Sequence, residues 1–321
     1  MLVLFPSRKC CYDRTTFFIL HFFWYNSIGG NMKHVFIINP MSGKGKSLKI
    51  LENIKKVCEE DNLDYVIHFT EGVGDATKIV KKYRFSQNII YSVGGDGTLN
   101  EVVNGIVGSK NRLAVIPCGS GNDFYKTLDK MEDELPLIDV GKINNKYFIN
   151  IVSIGIDAEI ADNVSKMKKI KIPTSQIYNA SIVYTFFKYK FKNIEVEIDS
   201  NNARKGKCTI LTVCNGKVYG GGYKIAPEAS LNDGYFDVYF VDKLPKLSIP
   251  YLIALLLKGK HESHKKVHKS KATRIKFKCR YDLVCNVDGE IMIDRKFDIK
   301  LIKDAILIYN NKKLIKRFLK G

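Results

Sequence analysis

Three times between residues 34 and 123, a short run of β-branched and aliphatic residues gives way to a glycine-rich turn. His34 to Ile38 precedes Asn39-Pro40-Met41-Ser42-Gly43-Lys44-Gly45-Lys46-Ser47. Asn88 to Val93 precedes Gly94-Gly95-Asp96-Gly97-Thr98-Leu99-Asn100-Glu101. Leu113 to Ile116 precedes Pro117-Cys118-Gly119-Ser120-Gly121-Asn122-Asp123-Phe124. Helical periodicity marks Ser47 to Asp61, Asp75 to Tyr83 and Thr98 to Ile106, and Tyr65 to Phe69 reads as a further strand. Strands joined through helices pair parallel. The expected solution is an open parallel α/β sheet, which gathers ligands at the carboxyl ends of its strands, where these turns lie.

Beyond Asp139 the pattern becomes alternating, as in Asn193 to Asp199, Cys208 to Cys214, Phe236 to Val241, Arg274 to Cys279 and Phe297 to Leu301. Alternation of this kind indicates antiparallel β structure. Two helical stretches interrupt it, Gln176 to Tyr189 and Ser248 to Leu257; the second is apolar, too short to span a bilayer, and suited to core packing or to a lipid-facing wall. The fold class is therefore read as α/β: an open parallel-sheet domain over residues 32–138, an antiparallel β-sandwich domain over 139–304, and a tail over 305–321 packing back on the first. On a helix, residues 314, 315, 318 and 319 of that tail share an apolar face, fit for docking on the first domain or for a membrane interface. Residues 1–31 read as a dispensable extension: Phe17 to Ile28 is too short to cross a membrane, and Met32 is the expected true start.

Lys and Arg total 52 against 33 Asp and Glu, a formal charge of +19, which favours negatively charged partners. Lys166, Lys168, Lys169 and Lys171 form one basic group, and Lys258 through Arg280 carries ten Lys or Arg. Stacking aromatics do not accompany them, so nucleic acid is not the expected partner. The eight cysteines contain no C-x-x-C pair, and His261-Glu262-Ser263-His264 is one residue short of H-E-x-x-H, so neither suggests a metal site.

In the second glycine turn the bare backbone admits a polyphosphate, and the following helix offers N–H donors and partial positive charge. An aspartate there would repel phosphate unless a cation lay between, which makes Mg²⁺ the natural reason for Asp96. Thr98 and Glu101 fit a capping box, giving Glu101 a structural role. The first turn has Pro40 where a P-loop needs glycine and is not one. The third repeats the second's chemistry around Asp123.

Together the three turns resemble the catalytic domain of the diacylglycerol kinase and sphingosine kinase superfamily, especially its soluble bacterial lipid kinases. Four further segments carry the resemblance: Ile138-Asp139-Val140-Gly141-Lys142, Tyr147-Phe148-Ile149-Asn150, Leu231-Asn232-Asp233-Gly234-Tyr235-Phe236 and Val287-Asp288-Gly289-Glu290. The resemblance implies an α/β nucleotide domain of the NAD kinase and diacylglycerol kinase type followed by a β-sandwich, with ATP and lipid meeting between them. It implies that Asp96, Asp123 and Asp139, with Lys44, form a network around catalytic Mg²⁺ and water, and that Glu290 takes the proton from the lipid hydroxyl. Asp233, with carbonyls near Leu231 and Tyr235, would match a structural Mg²⁺ site. Asn39, Ser42, Gly43, Gly94, Gly95, Gly97, Thr98, Gly119 and Ser120 are the residues expected against ATP. The activity implied is phosphorylation of diacylglycerol or a related lipid in phospholipid metabolism, by a cytoplasmic enzyme, with a homodimer as a candidate assembly, associating peripherally with the anionic inner face of the membrane. The rival readings are a kinase for a sphingoid base, phosphatidylglycerol or a polyprenol, and a non-catalytic lipid or nucleotide sensor.

Overall fold

The computed structural model describes residues 32–131, 136–167, 174–199 and 202–320. The expected extension at 1–31 and Lys168, Lys169 and Lys171 of the first basic group lie outside the described residues. The α/β portion runs β1 (His34–Ile38), α1 (Leu51–Glu60), β2 (Tyr65–Phe69), α2 (Asp75–Lys82), β3 (Ile89–Gly94), α3 (Asp96–Ile106), β4 (Arg112–Pro117) and α4 (Asp123–Leu128). There follow β5 (Leu137–Ile143), β6 (Lys146–Phe148), β7 (Ile151–Gly155), α5 (Ile156–Met167), α6 (Thr174–Lys188), β8 (Asn193–Ile198) and β9 (Asn202–Cys214). The chain ends with β10 (Phe236–Asp242), α7 (Ile249–Lys258), β11 (Val267–Ala272), β12 (Arg274–Val287), β13 (Glu290–Ile308) and α8 (Lys312–Leu319).

The strand order at one end is β2-β1-β3-β4, all parallel, and β1 and β3 are buried throughout, as strands covered on both faces must be. An independent open parallel sheet followed by a separate sandwich is nevertheless not what forms. These strands are the end of one mixed thirteen-stranded sheet in which antiparallel pairs predominate. The reason is β13, 19 residues long, which pairs antiparallel with β12 and β5 and then parallel with β4 through Leu307 and Ile308. Positions 138/139 and 304/305 thus fall inside β5 and β13, two strands common to both lobes. In the β-rich lobe, β7 and β8 lie end to end between the long strands β9 and β12. The sheet curls there around a core that includes Val152, Leu211, Phe236, Phe240 and Phe277. A second core, with Val35, Leu99, Val103, Leu113 and Phe124, fills the α/β lobe.

Several local expectations change. α5 occupies Ile156–Met167, where only β structure was expected. α3 begins at Asp96 with Gly95 as its N-cap, so Thr98 lies inside the helix and no capping box forms. Glu101 caps α2 instead, accepting from the N–H groups of Gly74 at 2.8 Å and Ala76 at 3.1 Å. His261 is buried against Tyr239. Among the described residues no helix is long and apolar enough to cross a membrane.

α8 folds back on the α/β lobe. The Asn311 carboxamide caps it by accepting from Leu314 N at 3.0 Å, and Leu314, Ile315 and Phe318 are buried. Phe318 meets the rings of Phe36 and Tyr91 edge-on, at 5.4 and 5.7 Å between centroids. Arg317 reaches Asp61 at 2.6 Å across the α1 end. The apolar face of α8 is therefore spent within the molecule and does not face a membrane. Truncation of a fully buried phenylalanine costs about 3–5 kcal/mol. Phe318→Ala is expected to lower unfolding free energy by that amount, read from urea denaturation midpoints; an unchanged midpoint would contradict the docking of α8.

Candidate active site

The turns after β1, β3 and β4 emerge side by side, and glycine is what lets them meet. A Cβ on Gly119 would stand 2.4 Å from Gly95 Cα, and one on Gly43 would stand 2.0 Å from the Cys118 carbonyl oxygen. Backbone and side-chain bonds knit the same contact. Cys118 N and Gly119 N both donate to Gly94 O, at 2.8 and 3.1 Å, and Asn39 Nδ2 donates to Thr98 Oγ1 at 3.2 Å. Ser42 lies beside Gly95, Gly97 faces open space at the start of α3, and Ser120 and Lys44 are exposed at the rim. Lys44 itself has φ 57°, the left-handed conformation, in the turn at Ser42–Gly45. The structure thus brings together Asn39, Ser42, Gly43, Lys44, Gly94, Gly95, Gly97, Thr98, Gly119 and Ser120 at one sheet edge. Such a surface of bare backbone above a helix N-terminus suits phosphate oxygens.

Asp96 and Asp123 close the cradle. The Asp96 carboxylate accepts from Phe124 N at 3.4 Å at the start of α4. Burial raises its pKa, the neighbouring Asp123 raises it further, and backbone N–H groups of residues 122–124 oppose the rise. Asp123 is bonded to Lys126 at 2.8 Å and accepts from Gly221 N at 2.8 Å. A buried and a half-buried carboxylate facing a phosphate cradle fit a divalent cation, because its charge relieves both their repulsion and that of the phosphates.

Asp139 does not join them. Its carboxylate accepts from Gly234 N at 2.8 Å and Asp304 N at 2.9 Å, and its own N–H donates to Leu231 O at 2.6 Å. Among the described residues no three acidic, histidine or cysteine side chains lie close enough to share a metal ion. The expected three-aspartate network is therefore a pair, with Asp139 serving as a buried strut between β5, the 231–235 turn and β13. Asp233, Leu231 and Tyr235 do cluster, but Asp233 Oδ2 is bonded to the Lys271 ammonium at 2.5 Å and its Oδ1 accepts from Tyr235 N at 3.1 Å. Leu231 O accepts from Asp139 N, so this cluster is held together by the chain's own groups.

Glu290 begins β13, paired with Val287 across a two-residue turn in which Asp288 and Gly289 have φ of 49° and 95°. That is the Asp-Gly hairpin geometry. The Glu290 carboxylate is one-third exposed and pairs with Lys146 of β6. Asp288, whose side chain was not singled out in the sequence, is the more connected residue. It accepts from Asn100 Nδ2 at 3.0 Å and from the N–H groups of Ile149, Asn150 and Ile151 at 2.7, 3.1 and 2.7 Å. Burial pushes it up to about 6 against these four donors. Asn104 adds a reciprocal pair with Tyr147, at 3.0 Å to its carbonyl and 2.9 Å from its N–H. α3, which starts in the cradle, is thereby tied to the strand and hairpin carrying Lys146 and Glu290. The segment 215–223 also crosses between lobes, through Gly221 on Asp123 and through Lys217 N on Thr127 Oγ1 at 3.1 Å. Its sequence signal, three consecutive glycines between Tyr219 and Tyr223, was there to be found.

A family model for the diacylglycerol kinase catalytic domain matches residues 33–147, and one for the YegS C-terminal NAD kinase beta sandwich-like domain matches residues 150–308. Diacylglycerol kinase of Staphylococcus saprophyticus is 32% identical over 269 residues, covering 79% of this chain and 87% of its own. That of Staphylococcus epidermidis is 33% identical over 269 residues, covering 79% of this chain and 84% of its own. A solved Bacillus anthracis protein proposed to be a diacylglycerol kinase superposes with a TM-score of 0.72 at 24% identity, over 90% of this chain and 99% of that one, a likeness of fold.

The raised pKa of Asp96 has a stability consequence. A carboxyl whose folded pKa lies above its unfolded value stabilises the fold below the unfolded value and loses that contribution as pH rises through the folded one. Asp96→Asn is thus expected to raise the melting temperature at pH 7, the gain vanishing as pH falls below the ordinary aspartate value of 3.8. Thermal melts across pH 3 to 8 check this; a lowered melting temperature at pH 7 would contradict it.

Proposed function

The chain belongs to the diacylglycerol kinase family and is a lipid kinase; we propose that it transfers the γ-phosphate of ATP to the hydroxyl of diacylglycerol, giving phosphatidic acid. The observation that carries this reading is the Asn100 to Asp288 bond. It holds the phosphate cradle and the Glu290 turn in one unit, as a reaction between a bound nucleotide and a second substrate requires.

In this reading the backbone at the start of α3 and the exposed turn at Ser120 receive the phosphates, and Lys44 and Lys46, at the rim, add charge. Phosphoryl transfer asks chiefly for such positioning and neutralisation. Magnesium held toward Asp96 and Asp123 would supply neutralisation of the phosphate oxygens. Glu290 accepts the hydroxyl proton as the lipid oxygen bonds to phosphorus and the bond to ADP breaks. Lys146 orients Glu290 through their ion pair. Asp139 supports the site from a distance, by fixing β5 against β13. The second substrate being a membrane lipid, the enzyme works at the anionic face of a bilayer, to which the +19 charge draws it.

Incubating purified protein with Mg²⁺, labelled ATP and a total lipid extract, then resolving the labelled lipids, tests the activity and the acceptor together. Label is expected in phosphatidic acid; label only in another lipid would name a different acceptor, and no labelled lipid would sink the proposal. Glu290→Gln should reduce turnover about 10²- to 10⁴-fold, the ordinary contribution of a general base, with nucleotide affinity unchanged. Asp96→Asn should abolish labelling while the protein remains folded.

A further inference from the structure

Two helices of the β-rich lobe present an apolar surface that the fold leaves uncovered. On α6, Val183, Tyr184 and Phe187 are exposed, Phe187 at 73%. Just before and within α7, Leu247 is 88% exposed and Tyr251 60%. The inner faces of the same elements are buried together: Tyr189 beyond α6, Ile249 and Leu252 of α7 and Ile156 of α5 share one small core. Lys246 Nζ donates to Phe187 O at 2.9 Å, which sets the end of α6 beside the start of α7. The exposed side chains therefore flank one seam instead of being scattered. Clustered large apolar side chains on a surface mark a place of interaction.

The charges around the seam indicate its occupant. Lys188, Lys190, Lys258 and Lys260 are exposed, and among the described residues no carboxylate pairs with any of them within 4.0 Å. Some lysines of this lobe do have carboxylate partners, as Lys192 with Glu159 at 3.1 Å, Lys269 with Glu262 at 3.0 Å and Lys278 with Glu195 at 3.0 Å. An apolar centre with an uncompensated ammonium rim is the profile of an interfacial membrane contact: the side chains enter the headgroup and acyl boundary while the lysines meet lipid phosphates. A protein interface, by contrast, is depleted in lysine.

The seam is also connected to the site. β7 runs from Ile151, whose N–H donates to Asp288, to Gly155, where α5 begins. Four residue steps of strand put the start of α5 about 13 Å from Ile151, and Ile156 of α5 packs in the same small core as Ile249 and Leu252 of α7.

We infer that the α6–α7 face is the surface by which this kinase docks on an anionic leaflet, with Phe187, Leu247 and Tyr251 inserted and the flanking lysines on lipid phosphates. The identity of the occupant rests on the lipid-kinase reading. Docking is read without ATP, so its failure is separable from failure of the activity, which is followed on a short-chain diacylglycerol dispersed in detergent. In full-length protein carrying Trp24→Phe and Leu247→Trp, vesicles of mixed phosphatidylglycerol and phosphatidylcholine should shift the emission of the introduced tryptophan to the blue. Lipids brominated in the acyl chain should quench it, and pure phosphatidylcholine should give little of either. In co-sedimentation, Phe187→Ser/Leu247→Ser/Tyr251→Ser should weaken vesicle binding at least about tenfold, because three large side chains leave the interface. Activity on the dispersed substrate and the melting temperature should stay as in the parent. Added salt should weaken parent binding. A fluorescence signal indifferent to anionic lipid, or vesicle binding undiminished in the triple variant, overturns the inference. So does a loss of self-association by light scattering in that variant without loss of vesicle binding, which would make the face a contact between copies of the chain.

Discussion

One carboxylate organises the reacting centre. Asp288 is almost sealed from solvent, sits in a left-handed turn position, and gathers three successive backbone N–H groups from residues 149–151 and the carboxamide of Asn100. Those donors lose this acceptor without it, and an unpaired buried donor costs about 1–3 kcal/mol. The arrangement is therefore maintained as a whole, and it fixes three things at once: the entry of β7, the register of the hairpin that presents Glu290, and the orientation of α3. Since α3 starts in the cradle, the glycine turns and the Glu290 hairpin share one connection.

Around that connection, the close approach of the three glycine turns has a different cause. Strands β1, β3 and β4 are adjacent and parallel, so their carboxyl ends crowd onto one edge. Any side chain at Gly43 or Gly119 would collide with backbone, and backbone cannot move aside as a flexible side chain would. The crowding leaves bare backbone along the edge, and the carboxylates of Asp96 and Asp123 stand against the positive end of α4. Repulsion between them is tolerated because donors and Lys126 offset it.

What could be read from the sequence was what leaves a local trace. Glycines demanded by backbone contact, an Asp-Gly hairpin before Glu290 and the alternation of β9 and β10 all show as letters in a row. Long-range choices left none. Thr98 and Glu101 satisfy the spacing of a capping box, yet β3 runs straight into α3, Gly95 takes the cap, and Thr98 turns to Asn39. Glu101, released, serves α2. Asp139 stands beside the marks of a nucleotide site in sequence, but its partners, Gly234 and Asp304, are supplied by chain 95 and 165 residues away. α5 went unread because its polar residues, Asp157, Glu159 and Asp162 among them, obscure a periodicity that depends on packing against β7, β9 and β12. The parallel strands were legible singly; their fusion to the antiparallel ones was not, since nothing in the composition of β13 announces that its last residues change partners.

That fusion has a mechanical meaning. Two lobes joined by a flexible linker can close on a substrate like a jaw, with a few dihedral angles absorbing the motion. Here β13 and β5 pass from one lobe into the other as hydrogen-bonded ladder, and α8 locks the far end of the chain onto α1. Rigid-body opening would have to shear that ladder. The triple-glycine bend on Asp123 lies outside that ladder, beside a frame that is fixed.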